Sequence, residues 1–599
     1  MTEPAFLNVE TSCTGRRWEA RPYDERMAEA LAQRLNLPDL VARSLNARGI
    51  DVDDAEDFLN PKLRSLMPDP NILKDMDKAV SRFVRALSLN ERIAVFGDYD
   101  VDGATSAALL LRLGRAMGVP FRLYIPDRLT EGYGPNAHAL QKLAQEGVKL
   151  VVCVDCGTTA HDALAAARKS GMDVLVLDHH VSEPTLPLSE ATVNPNRIDE
   201  TSGYNYLAAV GVTYLFIVAV NRALRAMGFY NTVRPEPDLM AWLDLVALGT
   251  VCDVVPLRGL NRAFVAQGLK IATRRKNIGL DALAKTAGVD TLNAYAFGFM
   301  LGPRINAGGR IGQTDLGARL LSTEDPSEAI SLAHQLNVLN DERRALEADA
   351  LQQAELMIET ENAPLAFVAS ENWHPGIIGI VASRLKDKCC HPALVVSLEG
   401  DVGKGSGRSI GSIDLGAAIL AARQAGLLIN GGGHKMAAGF TVARDKIEAL
   451  RLFLIERIGK QLAAEPLIPR LSVDGLVSGA TLQPDFVRLL EKIGPFGTGN
   501  TEPRLALADC KIVRADVVGE KHVSILAMQA GTRIRGIAFR AMDSRLGPAL
   551  LNIGARVHLA GHARINTWQG AEHIQMHIND AAPSINPLAI NPLAINPLD

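Results

Sequence analysis

The sequence predicts a multidomain α/β protein: a parallel-sheet domain, a long connecting helix, a smaller α/β domain and a C-terminal β-barrel. Three observations carry this. Short β-branched runs alternate with Ala/Leu-rich helical patterns from Ile93 to about Leu186, which is the pattern of βαβ units and a sheet buried on both faces. A second, shorter α/β pattern begins at Ala366. From Leu471 the rhythm changes to five short alternating runs, Lys511–Val518, His522–Met528, Arg533–Phe539, Arg556–Ala563 and His573–Ile578. Five such runs suit a small β-barrel of the kind used for oligonucleotides, although pattern alone leaves a sandwich open.

Taken in order, residues 1–90 read as a helical lead-in, with periodic segments at Asp24–Leu35 and Met76–Leu89. The larger α/β domain spans 91–323, and helical patterns dominate it after Tyr206. Residues 324–362 are charged and contain the Gly-free stretch Pro326–Glu361, read as a connecting helix. The smaller α/β domain covers 363–460, with strands near Ala366–Ala369 and Ala393–Ser397, and the barrel module covers 461–580. The tail, 581–599, repeats Ile-Asn-Pro-Leu-Ala. Proline in each repeat blocks helix and ladder, so the tail is expected to be disordered.

At 599 residues the chain is too long for one core. A hydrophobic content of 47% with 22% charged residues is that of a soluble globular protein. The net charge of −4 gives no global attraction to nucleic acid, so any polyanion groove must be local. Seven cysteines over this length do not make a disulfide framework and point to a reducing cytoplasm. Cys153 and Cys156 form a lone C-x-x-C, which reads as buried thiols more readily than as a zinc or redox pair. The start lacks a signal-peptide core, and the apolar stretch Tyr206–Val220 is shorter than a membrane span needs and reads as a buried helix.

The chemistry sits where strands end. The run Ile93–Phe96 leads into Gly97-Asp98-Tyr-Asp100-Val-Asp102-Gly103, Leu150–Val154 stops at Asp155, and Val174–Leu177 stops at Asp178-His179-His180. Carboxylates and imidazoles at the carboxyl ends of neighbouring parallel strands are what a divalent-metal phosphoesterase needs. The triple-Asp loop also looks like the start of a calcium loop, but the later bidentate Glu is missing. Asp155 alone could be a helix cap. His179 and His180, adjacent on an extended segment, should point to opposite sides, with Asp178 orienting the metal-binding imidazole. Asp253 lies inside an apolar run, where a lone carboxylate is costly without a cation or a hydrogen-bonding partner.

In order and context these residues resemble the motifs of the DHH phosphoesterase superfamily. Within it the chain is similar to bacterial exonucleases specific for single-stranded DNA. Matching segments include Pro126-Asp-Arg128, Glu131-Gly-Tyr-Gly134, Gly302-Pro-Arg304-Ile-Asn306-Ala-Gly-Gly-Arg310, Gly405-Ser406-Gly-Arg408 and Gly431-Gly-Gly-His434. The last resembles the signature of the DHH-associated domain, and Gly494–Asn500 resembles the entry to an OB-type module. Phe96 departs from the pattern, since some members carry histidine there.

The resemblance implies a two-metal site for Mn²⁺ or Mg²⁺ and stepwise hydrolysis of single-stranded DNA from the 5′ end, in repair and recombination. By motif position the metal ligands would be Asp100, Asp102, Asp155, His179 and Asp253, with Asp155 bridging. Asp98, Asp178 and His180 would assist catalysis. Arg128, Arg304, Asn306, Arg310, Ser406, Arg408 and His434 would bind substrate, with Ser406 and Arg408 on a turn that holds the 5′-terminal phosphate. Trp568 and Phe539 are candidate base-stacking residues, with core packing at least as good a reading for Phe539. Expected partners are single-strand-binding protein and a helicase, around a monomeric enzyme. The alternative activity is that of a nanoRNase or 3′-phosphoadenosine phosphatase, whose chains resemble only the two α/β domains.

Overall fold

The computed structural model of the chain describes residues 4–128, 130–358, 363–464, 469–568 and 571–584. The repeat tail from 585 onward lies outside the described residues. The chain divides into two compact units, Leu63–Leu467 and Met1–Lys62 with Ile468–Asp599.

The first unit is built on five parallel strands: β1 (Arg92–Gly97), β2 (Arg122–Tyr124), β3 (Val148–Val154), β4 (Asp173–Leu177) and β5 (Ala191–Val193), in the order β2-β1-β3-β4-β5. Period-two alternation sends Val95, Val152, Val154 and Leu177 into one core, and Phe96, Val151, Cys153 and Val176 into the other. Both sheet faces are therefore dry, which is why these strands read as continuous apolar runs. Cys153 and Cys156 are buried free thiols within this packing. Helix α1 (Val101–Ala116) follows β1, and α2 (Ala209–Ala226) and α3 (Leu243–Cys252) close one face. Helix α2 is long and apolar enough to cross a membrane by length and composition, yet 72% of it is buried in this core.

Helix α4 (Gly302–Ile311) leads to the connecting helix α5 (Pro326–Leu356), one uninterrupted run of 31 residues capped by Asp325. The smaller α/β domain holds β6 (Ala366–Ser370), helix α6 (Ile378–Cys389), β7 (Ala393–Glu399), β8 (Val402–Arg408), β9 (Asn430–His434) and β10 (Ala437–Ala443), ordered β9-β10-β8-β7-β6. Only β6 and β7 pair in parallel.

In the second unit, β11 (Leu505–Val518), β12 (His522–Gln529), β13 (Thr532–Ala538), β14 (Arg556–Trp568) and β15 (Ala571–Pro583) pair in the order β11-β12-β13-β15-β14. Strand β14 pairs back onto β11, so the sheet closes into a five-stranded barrel. That closure resolves the choice between barrel and sandwich.

The lead-in is divided rather than continuous. Arg17–Ala20 pairs in parallel with Arg470–Val473, and the buried Trp18 donates its indole N–H to Asp580 at 3.0 Å. Met76–Ser88 instead packs in the first unit, where Phe83 meets Phe121 and Phe216 edge-on. Amphipathic periodicity shows that a face is buried but not against what, so residues 1–90 do not stand as one domain.

Candidate metal centre

Strands β1, β3 and β4 are neighbours, so the residues after them converge at one sheet edge, at the point where strand order reverses. Asp98 is almost fully buried. Asp100 caps α1 by accepting from Gly103 N at 3.0 Å. Asp102, in the first turn, accepts from Ala209 N at 2.7 Å and Val210 N at 2.9 Å, two free amides at the start of α2. Asp253 follows the end of α3. Helix α3 comes this close because position 249 is glycine: a Cβ there would sit 2.3 Å from Thr105 Oγ1. Asp155 holds a left-handed backbone, φ +59°, a conformation Asp tolerates better than most residues.

The two histidines do not point to opposite sides. His179 Nε2 lies 3.4 Å from Asp155, 3.6 Å from Asp253 and 3.9 Å from Asp102. His180 Nδ1 lies 3.9 Å from Asp155 and donates to Asp178 at 2.7 Å. The rings meet edge-on, 4.7 Å apart. Strand β4 ends at Leu177, and Asp178 accepts from the amides of both histidines, which turns the backbone out of its extended alternation. Asp178 thus orients His180 rather than the imidazole among the carboxylates. Asn194 and Asn196, just after β5, hold this turn by donating to the carbonyls of His180 and His179. They are a further polar strand end that the sequence reading passed over. Tyr133 donates its hydroxyl to the Asp155 carbonyl at 3.2 Å and stands 3.3 Å from the His180 ring.

Three trios bring potential ligand atoms within 4.8 Å of one another: Asp98, Asp100 and Asp155; Asp102, His179 and Asp253; and Asp155, His179 and His180. Asp155 belongs to two of them and touches the third through His179, as a bridge between two ions would. Burial first, and repulsion among the carboxylates second, raise Asp102 to about 7 and Asp253 to about 9 and push Asp98 and Asp155 well above the usual range. Asp98 Oδ1, Asp155 Oδ1 and Asp253 Oδ2 are buried without a hydrogen-bond partner. Buried, crowded, unpaired carboxylate oxygens call for cations. Oxygen ligands with one imidazole suit Mn²⁺ or Mg²⁺. Burial and the neighbouring His180 lower His179 to about 4, which favours the neutral imidazole that metal ligation requires. Burial opposes the charge on His180, but the Asp178 hydrogen bond prevails and raises it.

A cavity of about 420 Å³ opens between the two α/β domains of this unit, lined by Arg128, Arg310, Lys404, Ser406, Arg408, Gly431 and Gly432 together with the first turn of α6. Lys404, Ser406 and Arg408 are alternate residues of β8, so they share a face. The site is a strand, not the turn expected from sequence. The intervening glycines let the opposite face pack flat: a Cβ on Gly405 would fall 2.1 Å from Phe440. Arg408 donates to Ser406 Oγ at 3.2 Å, and Arg310 donates to Gly376 O at 3.0 Å. Burial, with Arg128 and other cations nearby, lowers Arg310 to about 10 and also lowers Arg408. Cations forced together with a helix N-terminus make an anion site. Arg128 also stacks over the ring of Tyr99, between Asp98 and Asp100, at 5.1 Å, so the cavity adjoins the acidic centre.

Other expected substrate residues fall elsewhere. Arg304 spends its donors on Met300 O at 2.6 Å and Asn337 at 2.9 Å, clasping α4 to α5. Asn306, on α4, keeps a buried and unpartnered Oδ1. His434 is exposed at the β9–β10 hairpin. Lys404, which the sequence reading missed, had a signal in the alternating glycines of 403–407. On the barrel, Arg514, Arg533, Arg535, His573 and Gln575 line a cavity of about 770 Å³. Phe539 is exposed between His522 and His577 rather than in the core. The side chain of Trp568 lies outside the described residues.

A parallel sheet whose adjacent strands end in this carboxylate–histidine cluster defines a DHH phosphoesterase. Residues 92–250 match the DHH family N-terminal domain, 362–460 the DHHA1 domain and 473–580 the RecJ OB domain. The chain belongs to the RecJ family. It is 34% identical over 565 residues to the single-stranded-DNA-specific exonuclease RecJ of Escherichia coli, covering 91% of this chain and 96% of that one. Identity to Bacillus subtilis RecJ is 33% over 577 residues, covering 95% of this chain and 71% of the relative. The crystal structure of Thermus thermophilus RecJ in complex with Mn²⁺ superposes with a TM-score of 0.79 at 30% identity, covering 94% of this chain and 78% of that chain. Its Mg²⁺ complex gives 0.74 at 28% identity with the same coverage.

Proposed function

We propose that this chain is a metal-dependent exonuclease of single-stranded DNA that starts at the 5′ end and releases mononucleotides, in DNA repair and recombination. The observation that carries the polarity is the arginine cavity beside the acidic centre. A terminal phosphate carries more negative charge than a diester and matches Arg128, Arg310 and Arg408 bidentately. Held there, it sets the first diester against the carboxylate cluster, one nucleotide in.

Asp98, Asp100, Asp102, Asp155, His179 and Asp253 would hold two divalent cations, which supply an activated water and charge stabilisation when bound. Around them, α2 amides fix Asp102, and Asp178 holds the His180 ring by a hydrogen bond that favours its charged form and would let it face the phosphate. Tyr133 braces the Asp155 carbonyl. The arginines orient the strand end, and Arg533 and Arg535 on the barrel face, beside Asp516 and Glu572, suit phosphates of the rest of an unpaired strand. A chain with only the two α/β domains would serve the nanoRNase or phosphatase alternative; here the barrel favours DNA. Seven free cysteines are consistent with a cytoplasmic setting, where a monomer would act beside a helicase and single-strand-binding protein. Digestion of end-labelled strands tests the reading: a blocked 5′ end should stop cleavage, and equal activity on 5′- and 3′-blocked strands would reject the polarity.

A further inference from the structure

The metal centre and the arginine cavity address phosphates, whereas a strand also carries bases. A six-residue π-helical segment, Ala296–Leu301, precedes α4. Tyr295 and Phe299 stand out from it, 64% and 70% exposed, with ring centroids 5.0 Å apart and planes 26° apart. Ala296, Phe297 and Leu301 are buried, so the segment is anchored on one side and presents two stacked rings on the other. Leaving such rings in water forgoes burial free energy, and π-helical turns recur at functional sites.

This segment is fastened to the metal centre. Cys252, immediately before Asp253, donates through Sγ to Phe297 O at 3.4 Å. A Cβ on Gly298 would lie 3.4 Å from Val251 Cγ1. Val254, immediately after Asp253, is 64% exposed, and the Asp253 side chain is itself partly exposed.

We propose that Tyr295 and Phe299 form a stacking platform for a base of the substrate strand close to the phosphate being cleaved. The inference rests on the exonuclease reading above. Every base has a π-face, so such a platform tolerates any sequence. A paired base is already stacked in its duplex and cannot be lent to it. The rings therefore select unpaired strands at the centre itself, separately from the barrel.

The test uses the full chain with Mn²⁺ and 5′-phosphorylated oligothymidylate, compared with the same strand made abasic at its second and third nucleotides. Tyr295→Ala with Phe299→Ala should raise KM about tenfold on the normal strand and leave kcat within about twofold. On the abasic strand, wild type and variant should share one KM, because the base that the rings would hold is gone. Tyr295→Leu with Phe299→Leu, which keeps apolar bulk without π-faces, should fall near the alanine pair. An unchanged KM on the normal strand, or the same further loss on the abasic strand, would overturn the proposal. A wild-type protein inactive on both strands would instead overturn the exonuclease reading, and this inference with it.

Discussion

Asp178 and His180 form a hydrogen-bonded pair of 2.7 Å in which the carboxylate is fully enclosed and the imidazole is 46% exposed. The carboxylate also accepts from Thr158 N and from both histidine amides. Although burial opposes its charge, these bonds and His180 hold it below the usual carboxylate range. The pair favours the charged form of an imidazole that is partly open to solvent beside a cluster of carboxylates.

Asp178→Asn removes that support. His180 should then lose its proton at lower pH, and the alkaline limb of the kcat/KM profile should move about one unit toward acid. Activity at neutral pH should fall roughly 10–100-fold, as for other residues that orient a ligand or acid. A pH–rate profile with unchanged limbs would remove His180 from proton or charge work.

Asp155→Asn should abolish cleavage while leaving the fold intact, because Asn also tolerates the left-handed backbone at this position. Losing one buried charge from the cluster should raise the melting temperature of metal-free protein. The further rise on adding Mn²⁺ to wild type should largely disappear in the variant. Thermal scans with and without Mn²⁺ check both signs.

Metal-free stability should fall as pH rises. Asp102 and Asp253 titrate near 7 and 9 in the folded chain, against about 3.9 unfolded. Between those values the folded state binds more protons than the unfolded state. Stability is therefore fullest below about pH 4 and declines from there to about pH 9. Denaturant melts across that range should show the decline, and Mn²⁺ should flatten it.

Arg408→Ala should raise KM for a 5′-phosphorylated strand by about 10–100-fold, the scale of one charge-assisted contact of about 1.5–3 kcal/mol. A 5′-hydroxyl strand should change little. The ratio of the two KM values reads the cavity directly.

Trp18→Phe should destabilise the barrel unit by about 1–3 kcal/mol, since Asp580 would lose a buried donor. Hydrogen exchange at β14 and β15 should rise, while protection of β1, β3 and β4 should not change.

Much of the centre was legible because burial and charge leave marks in a sequence. An apolar strand buried on both faces reads as a run, and an acid after it stands out, so β1, β3, β4, Asp98, Asp155 and Asp178 could be found by inspection. Asn194 and Asn196 were overlooked because they follow a three-residue strand, too short to make a run. Arg304 and Arg310 looked alike because both sit in one glycine-bearing segment. Only packing shows one clasping α5 and the other lining the cavity.

The sequence by itself determined the residue types and their order: acids and histidines at strand ends, glycines alternating with Lys404, Ser406 and Arg408, and five strands in the barrel module. These follow from local periodicity and the cost of unpaired polar groups. Tertiary structure decided that Trp18 belongs with the barrel, that both histidines face one cluster, that Asp178 serves His180, and that the segment bearing two exposed rings packs against Val251 and Cys252, just before Asp253. Those outcomes depend on which surfaces meet across hundreds of residues, and no periodicity encodes the identity of a distant partner.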